Sequence, residues 1–264
     1  MHSLRKIALD LILVVDAEEK AAAVRALPGD PWEWLIDTSE VLDEPPGVPG
    51  RPAQPVLLPP SEMQNRAVGT LTGRACLIHA LAHIESNAID LALDVLWRFP
   101  GMPDAFYRDW WQVAREEALH FQLLQGHLKT LGFAYGDFPA HNGLWEMAEK
   151  TRGDLLARLA LVPRTLEARG LDASPAIRNK LISVGDPRGG EIIALILRDE
   201  IGHVRIGNHW YRHLCTVQGV EPMASYAQLA KRYGAPRLKG PFNLEARRAA
   251  GFEEAELALL GQQA

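Results

Sequence analysis

Cysteine is nearly missing from this chain: Cys76 and Cys215 are the only two among 264 residues. Two cysteines cannot build a disulfide framework or, by themselves, a thiolate metal site, so a metal would have to be held by nitrogen and oxygen. Each lies in an apolar helical stretch, where a small buried side chain is the plain reading. Alternation of apolar and polar residues, the mark of a half-buried strand, is absent, and the expected class is all-α. A strong charge of one sign is also lacking. A net charge of −5 gives no electrostatic case for broad binding to nucleic acid or to an anionic membrane surface. No apolar run free of charges reaches the length of a membrane span, so no membrane partner is expected. Arg5 and Lys6 followed by Ile7 to Val15 faintly resemble a secretion signal. Asp10 interrupts that run, Asp16, Glu18 and Glu19 follow it, and no small-residue cleavage site is evident, so the expected location is cytoplasmic.

What the chain does contain is helix, broken by proline. Apolar residues make up 47% and charged residues 23%, enough for a sizeable core. Residues 3 to 27 carry helical periodicity and stop at Leu27-Pro28-Gly29, and a short helical piece is expected from Trp32 to Val41. Seven of the eighteen residues from Asp43 to Pro60 are proline, which requires an extended segment lying along something else. Four long helices are then expected, over 62–98, 104–131, 143–169 and 189–217. Pro163 should kink the third, and a separate short helix is expected over 175–184. Shorter pieces follow over 223–233, 244–251 and 253–260. The expected organisation is an N-terminal appendage over 1–60, a four-helix bundle over 61–220 and a C-terminal extension over 221–264. Lys231, Arg232, Arg237, Lys239, Arg247 and Arg248 cluster near the end, and a solvated face is the default reading of such a run.

One arrangement occurs twice. Glu117-Ala-Leu-His120 and Glu200-Ile-Gly-His203 are both Glu-x-x-His within apolar-periodic stretches. Three residues of helix set carboxylate and imidazole on one face, about 4.5 Å apart along the axis. Glu85 lies 32 residues before Glu117, and Glu167 lies 33 before Glu200. A single Glu-x-x-His is common and usually carries nothing. Its repetition, each copy preceded by a glutamate on an apolar stripe, predicts six inward-facing ligands for two metal ions. Around Glu85 the same face carries Ile78, Leu81, Ala88, Ile89, Ala92 and Leu96, and a carboxylate there needs a cation or good hydrogen bonds. The opposite face, with His79, His83, Asn87, Asp90 and Asp94, reads as the polar side. Glu167, close to Pro163, is the least firmly placed of the six, with Glu146 and Glu149 as competitors. Glu116 faces Gln112 and reads as solvated. Trp110, Trp111, Trp145 and Trp210 read as core packing. Tyr107 and Tyr211 read by default as core phenols, with a redox or supporting role as the alternative.

Carboxylate and imidazole suit iron or manganese better than zinc when six ligands serve two ions, so the expected cofactor is a pair of iron ions, with manganese or a mixed iron–manganese pair as alternatives. Glu117 and Glu200 would bridge, Glu85 and Glu167 would be terminal or semi-bridging, and each histidine would cap one ion. Two irons held together supply electron pairs to dioxygen, and the protein supplies geometry, dryness and substrate orientation.

The segments His83-Ile-Glu85, Arg115-Glu-Glu117-Ala-Leu-His120-Phe121, Tyr135-Gly-Asp-Phe-Pro-Ala-His141-Asn-Gly-Leu-Trp145, Leu166-Glu167-Ala-Arg-Gly-Leu-Asp172 and Asp199-Glu200-Ile-Gly-His203-Val204-Arg205-Ile-Gly207 resemble an uncharacterised bacterial family of ferritin-like proteins. The likeness covers about residues 1 to 220. Its ligand pattern is similar to that of the di-iron tRNA hydroxylases, and all six positions match. The resemblance implies a ferritin-like fold and the same ligand set without naming a substrate. The expected activity is therefore that of a di-iron oxidoreductase acting on a small organic molecule with dioxygen and an electron donor, in a monomer or dimer. Hydroxylation of a tRNA nucleoside and iron oxidation for storage are the alternatives.

Overall fold

A computed structural model describes residues 3–28, 34–63 and 66–261. Helices account for all regular structure among them; a lone parallel bridge between Leu57 and Ala140 is the nearest approach to a sheet. No helix among the described residues is long and apolar enough to cross a membrane. The chain divides into two compact units, residues 1–143 and 144–264.

The first unit is built on a hairpin of two long helices, α3 (Leu71–Arg98) and α4 (Asp104–Thr130), which pack along each other. Helix α3 begins nine residues later than its periodicity suggests. Thr70, accepting from the Gly73 amide at 3.0 Å, supplies the N-cap, and the stretch from Pro60 to Glu62 forms only a short 3₁₀ turn. The Tyr107 hydroxyl donates to the Phe99 carbonyl at 2.8 Å and closes the turn between the two helices. Against this hairpin lie α1 (Leu4–Ile12), packed on α3, and α2 (Ala17–Ala26), packed mainly on α4. The N-terminal helical stretch is thus two helices, divided at residues 13–16, where Asp16 caps α2 by accepting from the Glu19 amide.

Two arginines fasten the short helices to the long ones through unsatisfied helix-end carbonyls. Arg5 of α1 is fully buried and donates to the carbonyls of Leu96 at 3.2 Å and Trp97 at 2.7 Å, in the last turn of α3. Arg115 of α4 donates to Val24 at 3.1 Å and to Leu27, at the end of α2. The helical piece expected over 32–41 is not found over its described part: residues 34–41 are irregular, held by Arg5 on the Asp37 and Glu40 carbonyls, and residues 32–33 lie outside the described ones.

The proline-rich segment forms an extended strap, as expected. Its ends are anchored by backbone hydrogen bonds, Gly50 N–H to Ile12 at 2.8 Å and the exchange of Val56 and Leu58 with Ala140. Gly50 is required by close approach, because a β-carbon there would stand 2.2 Å from the Leu13 carbonyl oxygen.

In the second unit the single helix expected over 143–169 is three elements. Helix α5 (Gly143–Lys150) ends, Asp154 caps α6 (Leu155–Leu161) by accepting from the Ala157 amide at 2.9 Å, and a π-helical turn runs from Val162 to Glu167. Pro163 causes that turn in the usual way, by lacking an amide hydrogen and crowding the preceding carbonyls. The chain then continues as α7 (Ala168–Ser183), which runs straight through Pro175. A separate short helix was expected there. The Leu171 carbonyl, which Pro175 cannot satisfy, accepts instead from the Asn243 side chain at 3.2 Å, so the helix survives.

Helix α8 (Pro187–Gln218) packs along α6, the π-turn and α7. Gly207 lets α8 lie against that turn: a β-carbon there would come within 2.6 Å of Pro163. Gly207→Val should therefore lose about 2–4 kcal/mol of stability through overpacking, measured by urea unfolding, and an unchanged midpoint would contradict that close approach. Helices α9 (Pro222–Arg232), α10 (Leu244–Ala249) and α11 (Glu254–Gly261) complete the unit. Ala246, Ala250, Phe252, Leu257 and Leu260 share one apolar core with Ala168, Leu171 and Val204.

Candidate metal centre

Helical spacing decides which side chains meet inside the first unit. Glu85 on α3, with Glu117 and His120 on α4, are all buried, at 4%, 1% and 0% exposure. His120 Nδ1 stands 3.2 Å from Glu117 Oε2 and 3.4 Å from Glu85 Oε2. Each of the three offers a ligand atom within 4.8 Å of the others, the spread expected around one ion. A carboxylate–carboxylate–imidazole set of this kind suits iron, manganese or zinc and does not choose among them. Burial raises the Glu85 pKa well above the ordinary carboxylate value, and the charge of Glu117 raises it further. Only the hydrogen bond and charge of His120 pull it back. A divalent cation at this point would relieve the burial and the repulsion from Glu117 that raise the Glu85 pKa.

The second unit carries the corresponding residues on its own helices. On α8, Glu200 and His203 are buried, with His203 Nδ1 3.8 Å from Glu200 Oε1. Glu167 is half-buried and is the last residue of the π-turn. Its competitors face outward: Glu146 and Glu149 are exposed, and Glu149 accepts from the Trp145 indole at 2.9 Å. Glu116 pairs with Gln112 at 3.0 Å, as its spacing implied.

The face of α3 opposite Glu85 requires a correction. His79, His83, Asn87, Asp90 and Asp94 read as a polar, outward side, yet all five are buried. The strap, α2 and the loop after α4 cover them, and each finds a specific partner. Lys20 of α2 pairs with Asp90 and donates to the Gly50 carbonyl at 3.0 Å. Arg98 grips Asp94 through three contacts of 2.7 to 3.0 Å. His79 Nε2 accepts from the Gly136 amide at 2.9 Å, and His83 Nδ1 lies 2.8 Å from the Tyr135 hydroxyl. Burial lowers the His79 pKa to about 4 and, with the charge of Arg51, that of His83 to about 3. It raises Tyr135 to about 12. Both imidazoles and the phenol are therefore neutral at physiological pH.

The C-terminal basic residues are likewise partly structural. Arg247 is fully buried against Asp172 at 2.6 Å, and Arg248 pairs with Glu254.

An all-helical chain with buried glutamates gathered about an imidazole belongs to the broad class of helical proteins with a candidate carboxylate metal site. Within that class, the chain is a member of the family described as protein of unknown function (DUF455), matched over residues 13–258. It is 49% identical over 213 residues to a protein of Haemophilus influenzae described as uncharacterized, covering 78% of this chain and 74% of that one. No solved structure matches it significantly.

Proposed function

We propose that Glu85, Glu117, His120, Glu167, Glu200 and His203 together hold two metal ions, most suitably iron, in a ferritin-like four-helix bundle spanning residues 61–220. The protein on this reading is an oxidoreductase that activates dioxygen on a small organic substrate. The observation that carries it is the buried Glu85–Glu117–His120 cluster, whose ligand atoms lie within 4.8 Å of one another. The same three residue types at nearly the same separations recur as Glu167, Glu200 and His203, the second and third of them buried.

Bound iron would supply the electron pair that reduces dioxygen. The chain's own residues perform the supporting steps. Glu85 gives up its proton when a cation arrives, so loading releases protons and strengthens with pH. His120 keeps an imidazole nitrogen directed at both carboxylates. Glu85, Glu117 and His120 are themselves at most 4% exposed, so bulk water is kept from the carboxylates.

Elemental analysis of protein produced with iron under anaerobic conditions should find close to two ions per chain. Glu117→Ala and Glu200→Ala should each lower metal affinity by more than the roughly 10- to 100-fold typical of a supporting residue. Oxygen added to the iron-loaded protein should produce a transient optical band and a changed Mössbauer spectrum. Metal-free protein from iron-replete cells, or variants as metal-rich as the wild type, would sink the proposal. A large multi-subunit shell by native mass would move the reading to iron storage.

A further inference from the structure

Charge is divided unevenly along the chain. Residues 1–143 hold 11 Lys and Arg against 19 Asp and Glu, whereas residues 144–264 hold 17 against 14. The second unit is therefore positive within a chain of net charge −5. Its excess collects beside α8. From Pro222 to Leu244 the chain carries four cations, Lys231, Arg232, Arg237 and Lys239, and no acid, and all four are exposed. Leu238, between the last two, packs on the same apolar core as Leu197 and Ile201 of α8. That contact sets Arg237 and Lys239 next to the outer side of α8, where Arg198 and Arg205 lie exposed two turns apart. Arg198 pairs with its neighbour Asp199 at 2.8 Å, whereas Arg205, Arg237 and Lys239 form no ion pair among the described residues. At 100° per residue, Arg205 stands about 160° around the helix from the buried His203. Outer arginine and inner candidate ligand are thus separated by little more than one helix diameter, about 10–12 Å.

We infer that the outer side of α8 and the loop carrying Arg237 and Lys239 form the docking surface for a small acidic electron-carrier protein, one that holds an iron–sulfur cluster or a flavin. The inference rests on the two-metal reading above. Placing one atom of dioxygen into a C–H bond and releasing the other as water takes two electrons and two protons from outside. A carrier that is oxidised by one electron per visit supplies the electrons in two visits, and solvent supplies the protons. Docked here, it faces His203 across a single helix. Attraction between exposed opposite charges speeds encounter and sets orientation more than it deepens affinity, which suits a partner that must leave after each transfer. Single-stranded nucleic acid is the poorer fit, because the aromatics of the loop turn inward. Tyr233 donates to Asp154 at 2.9 Å and Phe242 packs on the core, so neither offers an open ring face to a base.

The test titrates the metal-free full chain with an acidic [2Fe–2S] ferredoxin and follows its amide NMR signals. Residues 198, 205 and 237–239 should shift, and binding should weaken at least about tenfold between roughly 20 and 200 mM salt. Arg205→Glu and Lys239→Glu, both at exposed positions, should each weaken it at least about fivefold without changing the melting temperature. In iron-loaded protein the same variants should keep their metal content. Their reduction by reduced ferredoxin should slow by a similar factor, while reduction by neutral photoreduced deazaflavin should not change. Tighter binding of cytochrome c, a basic carrier, or of a short single-stranded RNA would overturn the proposal. Binding indifferent to salt or to both charge reversals would do the same. A chain that takes up iron but binds no ferredoxin would sink this surface alone. A chain that binds ferredoxin on these residues but takes up no iron would sink the two-metal reading and leave the surface standing.

Discussion

Glu85→Gln should make the metal-free protein more stable at neutral and alkaline pH while removing most of its capacity to bind metal. The two effects come from one cause. Glu85 is buried beside Glu117, and its pKa lies well above the ordinary 4.5. In the unfolded chain it ionises near its ordinary value, so between that pH and the folded-state value the native protein binds a proton that the unfolded chain does not. Stability then falls as pH rises, by up to about 1.4 kcal/mol per pH unit for one such group. The favourable contribution is complete below pH 4.5 and is lost as pH climbs through the raised folded value. Glutamine has the same shape and no proton to lose, so the variant's melting midpoint in chelator should be flatter with pH and should exceed the wild type's by a growing margin from pH 5 to 8. With metal present the order should reverse, because the ion stabilises only the protein that binds it. A variant less stable than wild type in chelator at pH 8 would show that Glu85 is not carrying an unrelieved buried charge.

That prediction depends on a ligand pattern readable from the sequence, and it is instructive which parts were readable. Glu85, Glu117 and His120 could be found because their helices obey a 3.6-residue period and each functional residue interrupts an apolar stripe. The helix ends were legible wherever a short polar side chain caps them. Asp154, before Leu155-Leu156, is such a signal within the stretch expected to be one continuous helix. Pro175 misled for the opposite reason. Its missing hydrogen bond is replaced by Asn243, nearly seventy residues away, and no local pattern announces such a partner. The covered face of α3 was obscured in the same manner. Polar residues at helical spacing look solvated whenever the elements over them carry matching polar groups. Lys20, Arg51, Tyr135 and the Gly136 amide belong to three separate segments. The strap was recognised as extended, but its composition says nothing of where it lies.

Arg164 is a buried cross-link of the second unit, and its removal should be strongly destabilising. It is 3% exposed, and its guanidinium stands 4.4 Å from the ring centre of Tyr211, 5.3 Å from Phe252 and 5.5 Å from Tyr226. It also bonds the Asn208 side chain and the Glu256 carboxylate, linking the π-turn to α8 and α11. Asn208 is held in turn, donating to the Ala250 carbonyl at 2.8 Å. Truncation as Arg164→Ala should cost about 2–4 kcal/mol, because it empties an aromatic cage and removes donors from the Asn208 and Glu256 oxygens, leaving Glu256 to Arg212 alone of the two arginines. Arg164→Lys keeps the charge but loses the planar fork and the ring stacking, so it should recover less than half of the loss. Glu256→Gln should be milder, near 1 kcal/mol, since the carboxylate is partly exposed and Arg212 also engages it at 3.0 Å. The double variant Arg164→Ala with Glu256→Gln should then be less destabilised than the sum of the two, the signature of a coupled pair in urea unfolding. Arg164 and Glu167 share the same π-turn, so the arginine also acts as a positioning residue for that glutamate. Under the two-metal reading, Arg164→Lys should reduce metal content towards one ion per chain while the folded fraction stays high. Full metal content in a variant already shown to be destabilised would separate the two roles and confine Arg164 to structure.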